Sequence, residues 1–139
     1  MNSFTFAAPA SLQGILDLLR DEPDARLLAG GTDLITQLDA ARRSATLVVD
    51  LKRVPSLMRL EVTEDGLHIG AARSLADVRQ SEDVRRHSPA LIDACGLVGS
   101  RQIQNRGTVV GNICNAAPSA DTASPLLAHD ASVLITGSR

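Results

Sequence analysis

Between two short apolar runs, RLLA (26–29) and TLVVDL (46–51), the chain places Gly30-Gly31-Thr32-Asp33, then Leu34, Ile35, Leu38 and Ala41 at helical spacing. Strand, tight turn, helix and strand in that order leave few arrangements. A crossover helix between consecutive strands predicts that they pair in parallel, with a right-handed connection. Both runs read as buried strands, the second rich in β-branched residues. Thr32 is placed to cap the helix, and Asp33 suits its first turn.

Upstream, Phe4, Thr5 and Phe6 alternate as a short strand does, Pro9 breaks it, and Ser11 is positioned to cap a helix carrying Leu12, Ile15, Leu16 and Leu19 on one stripe. Downstream the character changes. MRLEVT, the turn Glu64-Asp65-Gly66 and LHIGA predict a hairpin, with Gly66 suited to a positive φ. Ser74-Leu75-Ala76-Asp77 resembles a capping box, PALIDACGLVG (89–99) a helix ending at glycine, TVVGNI (108–113) a strand, Pro118 to His129 a loop and helix, and ASVLIT (131–136) a last strand. The change falls at residues 52–56, around Val54-Pro55, and divides the chain into lobes 1–54 and 55–139. Gly137-Ser138-Arg139 looks like a turn into a return strand, so the expectation is a chain truncated at its C-terminal side, or one whose last strand needs a partner to cover its edge.

A chain of 139 residues can bury about two-thirds of its unfolded surface in one domain. A net charge of −2 provides no basic field for nucleic acid or anionic lipid, and two Phe with no Trp or Tyr provide no base-stacking platform. No apolar run approaches the roughly 18–20 residues that span a membrane, and MNSFTFAAPA lacks the features of a signal peptide. Cys95 and Cys114 lack the C-x-x-C spacing. They are expected to be small buried thiols of a cytoplasmic protein. His68, His87 and His129 have no metal-ligand spacing, and Arg42-Arg43 and Arg85-Arg86 read as solvated faces. No metal site and no catalytic acid, base or nucleophile is expected.

The chemistry concentrates in two loops. The first runs from Leu27 through Leu28, Ala29, Gly30, Gly31, Thr32 and Asp33 to Leu34. The opening amides of a helix lack internal partners and favour an anion, and glycines remove the Cβ atoms that would hold a phosphate away. It contains neither Gly-Lys-Ser/Thr nor G-x-G-x-x-G, so phosphoryl transfer and a Rossmann NAD site lose support. In the second loop Thr108 supplies a hydroxyl, Gly111 an accessible amide, and Asn112 and Asn115 both donors and acceptors; Asp121, acceptor only, suits ribose hydroxyls better than phosphate. Each loop alone is equally consistent with a plain turn. Together, in different lobes, they suggest a diphosphate gripped by amides and a hydroxyl, hence a dinucleotide lying between them.

These loops in this order resemble the flavoprotein component of molybdenum hydroxylases, the family of the carbon monoxide dehydrogenase medium subunit and the xanthine dehydrogenase flavin domain. The resemblance rests on the Phe-x-Phe-x-x-Pro-x-Ser-Leu opening (4–12), LLAGGTDL (27–34), LVVDL (47–51), IGAARSLADV (69–78) and GSRQIQNRGTVVGNICNAAPSADT (99–122). It implies an α+β fold, the two-lobed FAD-binding domain of the vanillyl-alcohol oxidase (PCMH) type. It also implies FAD with its pyrophosphate on the amides of Ala29 to Leu34, the Thr32 hydroxyl contributing, and Thr108, Val109, Val110, Gly111 and Asn112 closing the other side. Asp121 matches the family acid near the adenosine sugar, and Val98 to Ile103 would approach the isoalloxazine. Val110 stands where many members have a second glycine, and Ala120 where a serine is frequent beside the acid.

The function so implied is electron transfer. Electrons would come from a molybdopterin-binding large subunit through an iron–sulfur small subunit to this FAD, then to NAD⁺ or another acceptor. Rival readings are a non-catalytic assembly module that docks without flavin, and an independent flavin oxidase. Nucleic-acid and membrane partners are not expected.

Overall fold

The computed structural model describes residues 3–137. Strands β1 (Thr5–Ala7), β2 (Arg26–Leu28) and β3 (Leu47–Asp50) form a parallel sheet in the order β1-β3-β2, with Phe6 opposite Val48 and Leu27 opposite Val49. The crossovers are α1 (Leu12–Asp21) and α2 (Leu34–Asp39). The Ser11 hydroxyl accepts from the Gly14 amide at the head of α1, as its position predicts. Central β3 is buried at Leu47, Val48 and Val49, whereas on edge strand β2 Leu27 is 47% exposed. RLLA is therefore a strand but not a buried one: an edge position leaves part of its surface uncovered.

Ile15 of α1 packs with Ala25, Leu47, Val49, Leu51, Val54 and Ala72 in one apolar cluster. After the 3-10 turn Pro55–Met58 comes the predicted hairpin, β4 (Leu60–Thr63) antiparallel to β5 (Gly66–Ile69), with Gly66 at φ 127°. The remainder is helical: α3 (Leu75–Gln80), α4 (Glu82–His87), α5 (Pro89–Leu97), α6 (Arg101–Gln104), α7 (Val109–Asn115) and α8 (Ala123–Ala128). Leu75, Val78, Val84, Leu91, Ile92, Cys95 and Val109 make a second cluster, to which Leu60, Leu67 and Ile69 of the hairpin add. Residues 55–72 touch both clusters, since Leu57 and Met58 pack on the first.

Several expectations change. TVVGNI is not a strand: Thr108 caps it and Val109–Asn115 is helix α7, so a local capping bond overrides β-branched propensity. ASVLIT is not a strand either. Residues 131–136 carry no regular structure, and Leu134 and Ile135 are 93% and 86% exposed. β-Propensity alone does not make a strand without a ladder partner. Ser138 and Arg139 of the expected turn lie outside the described residues, as do Met1 and Asn2. At α2 the N-cap is Asp33, with no side-chain cap bond, and the Thr32 carbonyl accepts from the Thr36 hydroxyl. The Ser74 hydroxyl does cap α3 through the Asp77 amide, but Asp77 pairs with Arg73 at 3.5 Å. Cys95 is buried, while Cys114 is exposed on α7.

Candidate functional site

The sheet and the helical part bring the two loops into direct contact. A Cβ on Gly30 would strike the Arg106 carbonyl oxygen and come within 2.7 Å of the Gly107 Cα. Beside this contact the Gly107 carbonyl accepts from the Leu75 amide at 2.8 Å, and Ser74 bridges Thr108. Further along, Gln37 of α2 donates to Asn115 Oδ1 of α7 at 3.3 Å. The sequence expectation that Gly30 is small for the sake of a phosphate is thus incomplete, because its missing side chain makes room for the other loop.

In the first loop the chain leaves β2 at Leu28 and turns at Gly31, whose φ of +82° favours glycine. The Gly31 carbonyl accepts from Ile35 and the Asp33 carbonyl from Gln37, which starts α2. The amides of residues 30–34 have no acceptor among the described residues. Ala29, Gly30, Gly31, Thr32 and Leu34 are half-buried, and Leu27 and Asp33 are exposed.

A cation does stand at this loop, which motif reading overlooked. Lys52 donates through Nζ to the Ala29 carbonyl at 3.0 Å and to Asp50 Oδ1 at 2.6 Å, and through its backbone amide to Asp50 Oδ1 at 3.0 Å. Burial would raise the Asp50 pKa. The hydrogen bonds from Lys52 and the charges of Lys52 and Arg106 outweigh it and hold the carboxyl below its ordinary 3.8. The signal was present: Asp50 and Lys52 leave the same end of β3, which lies beside Leu28 of β2.

In the second loop Thr108 is buried and its hydroxyl accepts from the Gly111 amide at 2.9 Å. Gly111 is therefore not the open amide expected of it, although the Thr108 hydroxyl proton remains available to donate. Val109 belongs to the second core; Val110 is half-buried. Asn112 Oδ1 accepts from the buried Thr122 hydroxyl at 2.6 Å, which leaves its amide nitrogen to donate elsewhere. Asp121 beside it is exposed.

Val98 packs on the second core, and the Ile103 carbonyl lies close to Gly107 of the second loop. Gly99, at φ +54°, folds back on Ile103. Gln104 is buried, accepts from Arg79 Nη1 at 2.7 Å, and donates to the Gly96 and Val98 carbonyls at 2.9 and 3.2 Å. The Arg79 guanidinium lies against Gly96. Among the described residues no group of His, Cys, Asp and Glu is placed to hold a metal ion, and no helix is long and apolar enough to cross a membrane.

Residues 2–139 match the family model described as the FAD binding domain in molybdopterin dehydrogenase. The chain belongs to this family. It is 39% identical over 140 residues to the xanthine dehydrogenase FAD-binding subunit of Escherichia coli O157:H7, covering 98% of this chain and 48% of that subunit. It is 34% identical over 142 residues to the nicotinate dehydrogenase FAD-subunit of Eubacterium barkeri, covering 100% of this chain and 48% of that one. Among solved structures it is similar to reconstituted CO dehydrogenase from Oligotropha carboxidovorans, with a TM-score of 0.83 at 28% identity, covering 87% of this chain and 43% of that one. The chain spans about half the length of the curated relatives it matches.

A family that binds FAD requires donors for a diphosphate. Among the described residues, the amides of residues 30–34 on one side, and the Thr108 hydroxyl proton and the Asn112 amide nitrogen on the other, are donors with no protein acceptor.

Proposed function

We propose that this chain grips the pyrophosphate of FAD between the loop 27–34 and the segment 108–112 with Asn115, and holds the adenosine ribose through Asp121, within an oxidoreductase of the xanthine and carbon monoxide dehydrogenase kind. The observation that carries the reading is the docking of Gly30 on Arg106 and Gly107, which sets a row of unclaimed amides beside a buried threonine hydroxyl. The ligand-bearing units are lobes 1–54 and 55–139 of a PCMH-type domain.

Bound FAD supplies the electron-transfer chemistry, and the chain's own residues bind, orient and shield it. Residues 29–34 donate from their amides to the diphosphate, Thr108 donates its hydroxyl proton, and Asp121 accepts from sugar hydroxyls. Gln104, fixed by Arg79, holds segment 98–103 in shape to meet the flavin ring with aliphatic and backbone contacts. In a cytoplasmic complex with a molybdopterin large subunit and an iron–sulfur small subunit, electrons from those subunits would pass onward to NAD⁺ or another acceptor. No side chain of this chain need act as acid, base or nucleophile.

Visible absorbance of the purified chain before and after added FAD tests this reading. A flavin band that survives gel filtration supports it. A chain that stays colourless supports the flavin-free assembly module.

A further inference from the structure

We infer that Lys52 is a positioning residue for the first loop: by holding the Ala29 carbonyl it turns the Gly30 N–H outward, and Asp50 holds Lys52 in place to do so. The inference rests on the pyrophosphate reading above and assigns a role to a charged pair outside both loops.

The geometry is local. Asp50 ends β3, directly beside Leu28 at the end of β2, and the Leu51 amide donates to the Leu28 carbonyl at 3.1 Å. From that strand end Lys52 reaches across to the Ala29 carbonyl at 3.0 Å. The described peptide bonds are all trans. Across a trans peptide the C=O and the following N–H point in opposite directions. Fixing the Ala29 oxygen towards Lys52 therefore fixes the Gly30 N–H away from it, and that amide has no acceptor among the described residues.

Such a peptide needs holding. Glycine tolerates positive and negative φ almost equally, so rotation of the 29–30 peptide plane meets little steric resistance at Gly30. If it turned over, the Ala29 oxygen would take the place of the donor and present its negative end to a diphosphate. Gly30 cannot be replaced by a stiffer residue, since the Arg106 backbone fills the space of its Cβ. A side-chain hydrogen bond from outside the loop fixes the plane in addition to the packing of Gly30 against Arg106 and Gly107.

Orientation, rather than direct charge, is the larger effect. Lys52 Nζ lies 2.6 Å from Asp50 Oδ1, so a distant phosphate sees a nearly neutral pair. The hydrogen bond to Ala29 is unaffected by that neutralisation. Asp50 is held ionised by the same contacts, so the pair persists at neutral pH.

The test measures FAD dissociation constants for the wild-type chain, Lys52→Met and Lys52→Arg, together with the Gly30 amide cross-peak in ¹H–¹⁵N spectra without ligand. Lys52→Met should weaken FAD about tenfold, since a charge-assisted hydrogen bond contributes roughly that factor or more, and should move the Gly30 cross-peak. Riboflavin, which lacks the diphosphate, should bind the wild type and Lys52→Met alike. Lys52→Arg, which keeps a donor, should recover most of the affinity. Unchanged FAD affinity in Lys52→Met, or an unmoved Gly30 cross-peak, overturns the inference. A wild-type chain that takes up no FAD overturns the pyrophosphate reading instead, and the Gly30 cross-peak then decides the role of Lys52 alone.

Discussion

Gly30 has no room for a side chain because the backbone of Arg106 and Gly107 lies where its Cβ would be, with the Gly107 Cα 2.7 Å from that point. The loop that follows β2 and the loop that precedes α7 are thereby one packed unit. Backbone cannot retreat as a flexible side chain can, so even one added methyl must separate the loops. Gly30→Ala is expected to destabilise the fold by about 1–3 kcal/mol, measured by urea denaturation, and to abolish flavin retention. A variant of wild-type stability that keeps its flavin contradicts the contact.

Thr108 caps α7 with its hydroxyl while being buried itself. Thr108→Val keeps the shape and removes the acceptor from the Gly111 amide. The expected loss is about 1 kcal/mol in denaturant-unfolding experiments, with weaker FAD binding in addition. Equal stability would mean that water replaces the cap without cost.

Much of this was legible in the sequence, and the failures have specific physical causes. The βαβ order, the Ser11 cap and the hairpin at Gly66 follow from local rules that the fold respects. The two loops that meet at Gly30 stand out in the sequence as glycine- and asparagine-rich runs. What the sequence hid was tertiary. That Gly30 meets Arg106 depends on packing across distant segments. That Val109 and Val110 are helical depends on one hydroxyl outweighing β-propensity. Lys52 escaped notice because it lies outside every glycine-rich stretch, and only the parallel pairing of β2 with β3 carries it to Ala29.

Asp50 predicts a pH dependence. Its pKa is lowered in the folded chain, so its contribution to stability is complete above the ordinary carboxylate value of 3.8 and is lost as pH falls from there through the lowered folded value. Asp50→Asn should therefore reduce stability at pH 7 and flatten the acid limb of the stability curve. An acid limb identical to the wild type would show that the Lys52 pair contributes nothing.

The cysteines should differ sharply. Burial pushes the Cys95 thiol up to about 12, against a smaller lowering by Arg79, whereas Cys114 is exposed. At pH 8 one thiol per native chain should react promptly with a disulfide reagent, and the second only on unfolding. Cys114→Ser should remove the prompt reaction. Rapid modification of both thiols in the native protein contradicts the packing around Cys95.

The amides of residues 30–34 and the donors of 108–112, with Asp121 beyond them, are expected to hold one dinucleotide. Flavin fluorescence quenching during titration of the purified chain into FAD measures this directly, with Asp121→Ala alongside. Saturable one-to-one quenching is expected, weakened by about 1–3 kcal/mol in Asp121→Ala. Fluorescence that stays unchanged on adding the wild-type chain, or affinity that Asp121→Ala leaves intact, contradicts it.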